Sequence, residues 1–142
     1  MSTASGRPRP RKTDLVLLVD RCLAPEVAYE ISKLDGLYGI ALKDHYGDHV
    51  AQQLADVTFL AEAGQRGWGV LTQNPRMWQV PQERSCITDN RTRVFSLDDP
   101  NASKTLKGLV LGRCVLSIRR RLRRQDPCFW RLRLQGVRKD LT

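Results

Sequence analysis

Long hydrophobic runs are missing from this chain. No apolar stretch approaches the ~18 residues that a membrane span needs, so no membrane partner is expected. The opening segment, MSTASGRPRPRK, carries basic residues but no apolar stretch of the kind a secretory signal contains. A polar, proline-containing opening of this sort is expected to be a disordered basic tail, residues 1–13, and the protein is expected in the cytoplasm. The four cysteines, Cys22, Cys86, Cys114 and Cys128, are far apart and form no C-x-x-C pair. They read as thiols in or near the core rather than as a zinc site. Neither a G-x-G-x-x-G turn nor a P-loop pattern is present, which leaves a nucleotide-binding α/β domain without support. No internal repeat is visible.

What the chain does have is positive charge, unevenly spread. Its 142 residues suit one domain with a single core, and the net charge is +9. Residues 1–13 hold four basic groups and no acid; residues 119–142 hold nine basic groups against Asp126 and Asp140; the middle, residues 14–118, has eleven basic and thirteen acidic groups, 11 − 13 = −2. A slightly acidic body with two basic ends is a layout for holding a polyanion beside an acidic site. A solvated charged face with a solubilising tail fits the same composition.

Apolar patterning orders the elements. DLVLLVD (14–20) is an unbroken apolar run ending in an acid, as in a buried parallel strand. APEVAYEISKLDG (24–36) has Pro25 near its start, Val27, Ala28, Ile31 and Leu34 at helical spacing, and Gly36 as a stop. YGIALKD (38–44) predicts a second strand, and ADVTFLAEAGQRG (55–67) a helix capped by Asp56 with Val57, Leu60, Ala61 and Gly64 on one face. WGVLT (68–72) and TRVFSL (92–97) predict two more strands. Asn101 is expected to cap a long helix over 102–123, with Leu106, Leu109, Val110, Cys114, Val115, Ile118 and Leu122 inward, although Gly108 and Gly112 weaken it. CFWRLRLQG (128–136) alternates apolar and basic residues, as a half-exposed strand does.

Strands alternating with helices predict one α/β domain over residues 14–142, a three-layer α/β/α sandwich with a mainly parallel sheet and a basic C-terminal helix and strand. Sites in such sheets lie outside the carboxyl ends of the strands. Asp20 follows the first strand, Asp44 the second, Thr72 and Asn74 the third, and Asp56 opens a helix. Acids brought together repel unless a cation sits between them. Mg²⁺ and Mn²⁺ take carboxylate oxygens, and with a phosphodiester such ions polarise the phosphoryl group and activate water. Each residue also has a plain reading. Asp56 is a satisfactory N-cap, Thr72 a turn-holding hydroxyl, and His45, Asp48 and His49 parts of a polar loop, KDHYGDH. Asp20 is the hardest to explain structurally, since the rest of its strand is apolar.

Four stretches carry a family resemblance: LVDRCL (18–23), KDHYGDHVAQQLADVTFLAEAGQRGWGVLT (43–72), NPRMWQVPQER (74–84) and RRRLRRQDPCFWRLRLQG (119–136). In this order and spacing they resemble the PIN-like domain family, and most closely its VapC-type toxins of toxin–antitoxin pairs. The resemblance runs from about Leu15 to the C-terminus. It implies a Mg²⁺- or Mn²⁺-dependent endoribonuclease, with Asp20 and Asp56 as metal-binding acids and Asp44 assisting. It also implies RNA as substrate, an antitoxin protein as partner, and a homodimer.

The departures from that pattern bear on chemistry. The family's third acid falls on Asn74, its helix glutamate on Thr58 and its helix tryptophan on Phe59. An amide oxygen still coordinates Mg²⁺ but brings no charge, so Asn74 reads as a poor third ligand. Two hypotheses follow. In the first, the enzyme cuts RNA with weakened metal binding. Arg119, Arg120, Arg121, Arg123 and Arg124, with Arg131 and Arg133, then grip phosphates, and Arg21 and Arg76 lie next to the acids. In the second, a degenerate domain binds RNA or a protein partner without cutting.

Overall fold

The computed structural model describes residues 10–142 except 12, 35 and 100, so most of the expected tail, residues 1–13, lies outside the described residues. Apolar runs that must be hidden on both sides form the strands β1 (Leu15–Val19), β2 (Leu37–Ala41), β3 (Gly69–Thr72), β4 (Arg93–Leu97) and β5 (Cys128–Arg133), and β6 (Gly136–Leu141) closes the chain. They make one sheet in the order β2-β1-β3-β4-β5-β6, with the first five strands parallel and β6 antiparallel to β5. Strand alternation sends Leu17, Val19, Leu71 and Phe95 to one face, where α1 (Pro25–Ile31) and α6 (Lys104–Leu122) cover them. Leu18, Val70, Val94 and Phe129 face the other way, under α2 (Leu42–Tyr46), α3 (Asp48–Gln53), α4 (Asp56–Arg66) and α5 (Pro81–Asp89). The three-layer α/β/α sandwich expected from the sequence is the observed architecture.

Several boundaries differ from expectation for identifiable reasons. The second strand ends at Ala41, and residues 42–46 are helical, because Leu42 is drawn into the second core face at 1% exposure. Short apolar runs do not separate strand from helix by periodicity alone. Nothing in the sequence reading assigned α3, the 3-10 turn Pro75–Trp78 or α5. The single strand expected over 128–136 is a hairpin: Leu134 and Gln135 reverse the chain, Gly136 takes φ 129°, and β6 returns along β5. Two caps shift. Ala55, not Asp56, caps α4, and Ser103, not Asn101, caps α6 by accepting from the Leu106 N–H at 3.1 Å. Leu109 and Val57, expected inward, are exposed at 57% and 36%. Of the cysteines only Cys114 and Cys128 are buried; Cys22 is exposed.

Two arginines are buried in the frame. Arg93, at the start of β4, donates to the main-chain oxygens of Gly67, Leu122 and Arg124. Arg121, at 2% exposure, donates to those of Asp126, Pro127 and Thr142 and lies 5.8 Å from the Trp130 ring centroid. Both tie the end of α6 to the amino ends of the central strands. Arg121 is therefore a structural residue and not a phosphate-gripping one, contrary to expectation.

Close packing of helix on strand makes one glycine indispensable. A Cβ on Gly39 would lie 2.5 Å from the Ala28 main-chain oxygen and 2.9 Å from its Cα, so α1 would have to move off β2. On Gly108 of α6 an added Cβ meets nothing within 4 Å. The same substitution should therefore have opposite signs. Gly39→Ala is expected to destabilise by about 1–3 kcal/mol, and Gly108→Ala to stabilise by up to about 1 kcal/mol. Urea denaturation midpoints at constant slope measure both.

Candidate functional site

The sheet order fixes where a site can form. β1 lies between β2 and β3; the chain leaves β1 into α1 on one face and leaves β3 toward α5 on the other. This reversal opens a crevice at the carboxyl ends of β1 and β3. Asp20 and Thr72 stand on its floor. The backbone N–H of Asp20 extends the ladder by donating to the Leu71 oxygen at 2.9 Å. Continuing the alternation past Val19 puts Asp20 on the same face as Leu18, under α4 and α5.

Asp20 is 5% exposed and Thr72 fully buried. The Thr72 hydroxyl donates to Asp20 Oδ2 at 2.9 Å and accepts from the Asn74 N–H at 3.1 Å. Because the amide uses the hydroxyl oxygen as acceptor, the hydroxyl proton is directed to the carboxylate, which fixes one Asp20 oxygen and leaves the other for further contacts. The Cys22 thiol lies 3.6 Å from Thr72 Oγ1 and accepts from the Gln73 N–H at 3.4 Å.

Two helix starts bring acids to Asp20. Asp56 is the first residue of α4, and with Ala55 as the cap its carboxylate is not spent on capping. Instead Arg21 Nη2 approaches Asp56 Oδ1 at 3.5 Å, while Arg21 Nη1 donates to the Ala51 and Leu54 oxygens at 3.2 and 2.8 Å. Glu83, in the first turn of α5, shares a hydrogen bond with Asp56. The electrostatics match this crowding. Burial pushes the Asp20 carboxyl up; the Thr72 hydrogen bond pulls it back and the charge of Asp56 raises it again. Burial, the Asp56 hydrogen bond and charge, and then the charge of Asp20 push Glu83 up to about 7. Glu83 thus keeps a proton up to about pH 7. The positive N-terminal ends of α4 and α5 offset part of the remaining repulsion.

Glu83 was not among the candidates from sequence, and Asn74 was. The structure sets Glu83 beside Asp56 and turns the Asn74 amide oxygen to the backbone. Asn74 Oδ1 accepts from the Arg76 N–H at 3.2 Å and caps the turn Pro75–Trp78, so its amide oxygen is engaged as a turn acceptor rather than a ligand. The stretch VPQER held the signal: Pro81 at a helix start places Glu83 in the first turn.

The other candidates are dispersed. Asp44 Oδ2 accepts from the Tyr29 hydroxyl at 3.2 Å, on α2, and no contact joins it to Asp20 or Asp56 among the described residues. Asp48 borders a recess of about 180 Å³ beside Asp20, with Arg21, Lys43 and Gln52. His45 and Tyr46 bind Glu62 at 2.7 and 2.6 Å, a clasp between α2 and α4. Burial opposes the Glu62 charge, but bonds from Tyr46, His45 and Arg66 outweigh it and hold the carboxyl down at about 2.

Arg76 is exposed one turn from Asn74. Arg131 is tied to Asp140 at 2.7 Å and to Asp98 at 3.8 Å, and Arg133 to Asp98 at 3.9 Å. Three strand spacings separate Arg131 from Asp20, about 14 Å. Arg119, Arg120, Arg123 and Arg124 end α6 at the opposite, amino edge of the sheet, where the Leu122 side chain abuts Gly69 and Arg119 abuts Gly36. That is about 16 Å, one strand length, from the acids. The expected juxtaposition of the basic cluster with the acidic site is corrected accordingly.

Asp20, Asp56 and Glu83 are a hard oxygen donor set whose excess charge is relieved by the proton on Glu83 and by Arg21, and this chemistry fits Mg²⁺ or Mn²⁺. Among the described residues no three acids, histidines or cysteines are already gathered into a cage that could hold an ion. Binding therefore requires Glu83 to lose its proton and the carboxylates to draw in.

Glu83 makes stability depend on pH in a definite direction. Its carboxyl keeps a proton in the folded chain up to about 7 but loses it near 4.5 when unfolded. The folded state holds the extra proton between these values, so stability falls as pH rises through that window. Urea midpoints in EDTA should therefore drop between about pH 5 and about pH 7. Glu83→Gln should flatten the drop, and Mn²⁺ should oppose it.

Comparison with known proteins gives one match: the model of the PIN like domain family covers residues 15–99, from β1 through β4 and the two residues after it. No curated protein and no solved structure matches the chain. Among the described residues no helix is long and apolar enough to cross a membrane. With the strand order, the acid-bearing carboxyl edge and a match over more than half its length, the chain belongs to the PIN-like domain family.

Proposed function

We propose that this domain is a divalent-metal-dependent ribonuclease. The observation that carries the reading is the meeting of Asp20, Asp56 and Glu83, from three separate elements, at the crevice between β1 and β3. PIN-like domains generally act as nucleases and use divalent metals, and a trio of oxygen donors is what Mg²⁺ or Mn²⁺ requires. When bound, the ion would polarise the phosphoryl group and lower the pKa of a water.

The chain's own residues do the rest. Thr72 holds Asp20 in one rotamer. Arg21 braces α3 and α4 against the site and neutralises Asp56 until the cation arrives. Glu83 gives up its proton to complete the donor set, which ties activity to pH values near and above 7. Arg76, exposed and free of ion pairs among the described residues, is placed to meet the phosphate entering at the carboxyl edge. The resemblance to VapC-type toxins makes a toxin–antitoxin pair the biological setting, with an antitoxin protein as partner and the cytoplasm as location. A small DNA-binding protein encoded by the adjacent reading frame would support it.

One observation favours a second reading. The amide at Asn74 removes a charge that the family pattern places there, and Arg21 already neutralises Asp56. A domain that binds RNA or protein without cutting it would show no cleavage with any divalent ion.

Cleavage of single-stranded RNA in Mn²⁺, read on a gel, separates the two. Asp20→Asn and Glu83→Gln should each abolish it, and activity unaffected by Asp20→Asn removes the nuclease reading. Thr72→Val, which keeps shape but loses the hydroxyl that positions Asp20, should weaken apparent Mn²⁺ affinity by about 10- to 100-fold.

Thermal melting gives an independent readout, because a ligand bound only by the folded state raises the transition. Mn²⁺ should raise the melting temperature of the natural chain and not that of Asp20→Asn. Asn74→Asp, which can still cap the turn, should enlarge the Mn²⁺-induced rise.

A further inference from the structure

The amino edge of the sheet carries a concentration of positive charge that the acidic site does not use. Arg93 and Arg121 are buried there and donate to main-chain oxygens, Arg93 Nε and both Nε and Nη1 of Arg121 have no hydrogen-bond partner, and no aspartate or glutamate pairs with either among the described residues. Burial lowers the pKa of Arg93, and the charge of Arg121 lowers it further. Around these two, Arg91, Arg120 and Arg123 are exposed, and none makes an ion pair among the described residues. Arg124 is paired only with Asp126, at 2.8 Å.

The arrangement exceeds what the helix needs. The carbonyl end of α6 is complemented by one or two cations in its last turn, and Arg93 already donates to the Leu122 and Arg124 oxygens there. Arg120 and Arg123 are one turn apart on α6 and repel each other. Such a group of unneutralised guanidiniums over a positive interior is a site for a polyanion. Its forked donors suit phosphate oxygens.

We propose that this pole is a second docking surface, one that holds the phosphate backbone of RNA about one strand length, ~16 Å, from the carboxylates. It rests on the RNA reading above and adds to it an anchor outside the site of chemistry. RNA is favoured over an acidic protein because a phosphate chain supplies one charge per nucleotide, and one strand can reach from this pole to the carboxyl edge.

The test is binding of a labelled oligouridylate of about 20 nucleotides, followed by fluorescence anisotropy across a salt series in EDTA, so that cleavage plays no part. The natural chain should bind with affinity falling steeply as salt rises. The triple variant Arg91→Gln/Arg120→Gln/Arg123→Gln should bind more weakly, and its plot of log affinity against log salt should be flatter by about 2, three contacts at about 0.7 each. Lysine at the same three positions should restore the slope. All three residues are exposed, and an unchanged melting temperature verifies folding. Equal affinity and slope in the natural chain and the glutamine variant would overturn the proposal. So would stronger displacement of the RNA by polyglutamate than by unlabelled polyuridylate, which would assign the pole to an acidic protein. Failure of cleavage in Mn²⁺ leaves these outcomes unchanged, so the anchor and the nuclease reading fail separately.

Discussion

The register between β1 and β3 is the constraint from which the chemistry hangs. Leu17 pairs with Gly69 and Val19 with Leu71, which sets Asp20 beside Thr72 on one face of the sheet. Side chains alternate with a period of two, so a slip by one residue would turn Asp20 toward α1 and α6 and separate it from Asp56 and Glu83. The apolar neighbours enforce the register. Leu18 and Val70 are fully buried under α4 and α5, while Leu17 and Leu71 are fully buried on the other face. Packing that hides four aliphatic side chains thereby positions one hydroxyl against one carboxylate.

Charge is distributed along the strand direction. Asp20, Asp56 and Glu83 lie where the parallel strands end and α4 and α5 begin, and Arg93 and Arg121 lie where the strands start and α6 ends. Helix dipoles run in the matching sense, with N-terminal ends toward the acids and the C-terminal end of α6 toward the arginines. The separation follows from a β-α-β topology that returns the chain from the carboxyl edge to the amino edge between parallel strands. It accounts for a net charge of +9 coexisting with a crevice that retains protons.

The layers, the parallel core and Asp20 were legible in the sequence because they rest on uninterrupted apolar runs, which state their burial directly. Asp56 was legible as a residue, but the cap expected of it falls to Ala55, which takes that position through backbone angles alone. Glu83 was hidden for a different reason. Its helix has a mostly polar surface, with Ile87 as its one fully buried residue, and so shows little periodicity. β6 escaped because its residues are half-exposed or exposed and its sequence, GVRKDL, gives no buried run. The arginines misled because linear proximity was taken for spatial proximity: Arg119–Arg124 are contiguous in the chain, yet the first of these abuts Gly36, the third is buried and only the rest face water. Asn74 was read by correspondence with an acid, whereas its local geometry makes it an Asx-type cap.

The extent of the family match has a consequence for how this chain can be divided. Similarity stops at residue 99, but β5 lies beyond it and pairs with β4 over five residues, while α6 supplies Val110, Leu111, Cys114, Ile118 and Leu122 to the first core face. A fragment cut at the limit of similarity would expose the flank of β4 and strip the covering from Phe95 and Leu97. The stretch that the family model matches and the stretch that covers this sheet are thus different lengths of the same polypeptide.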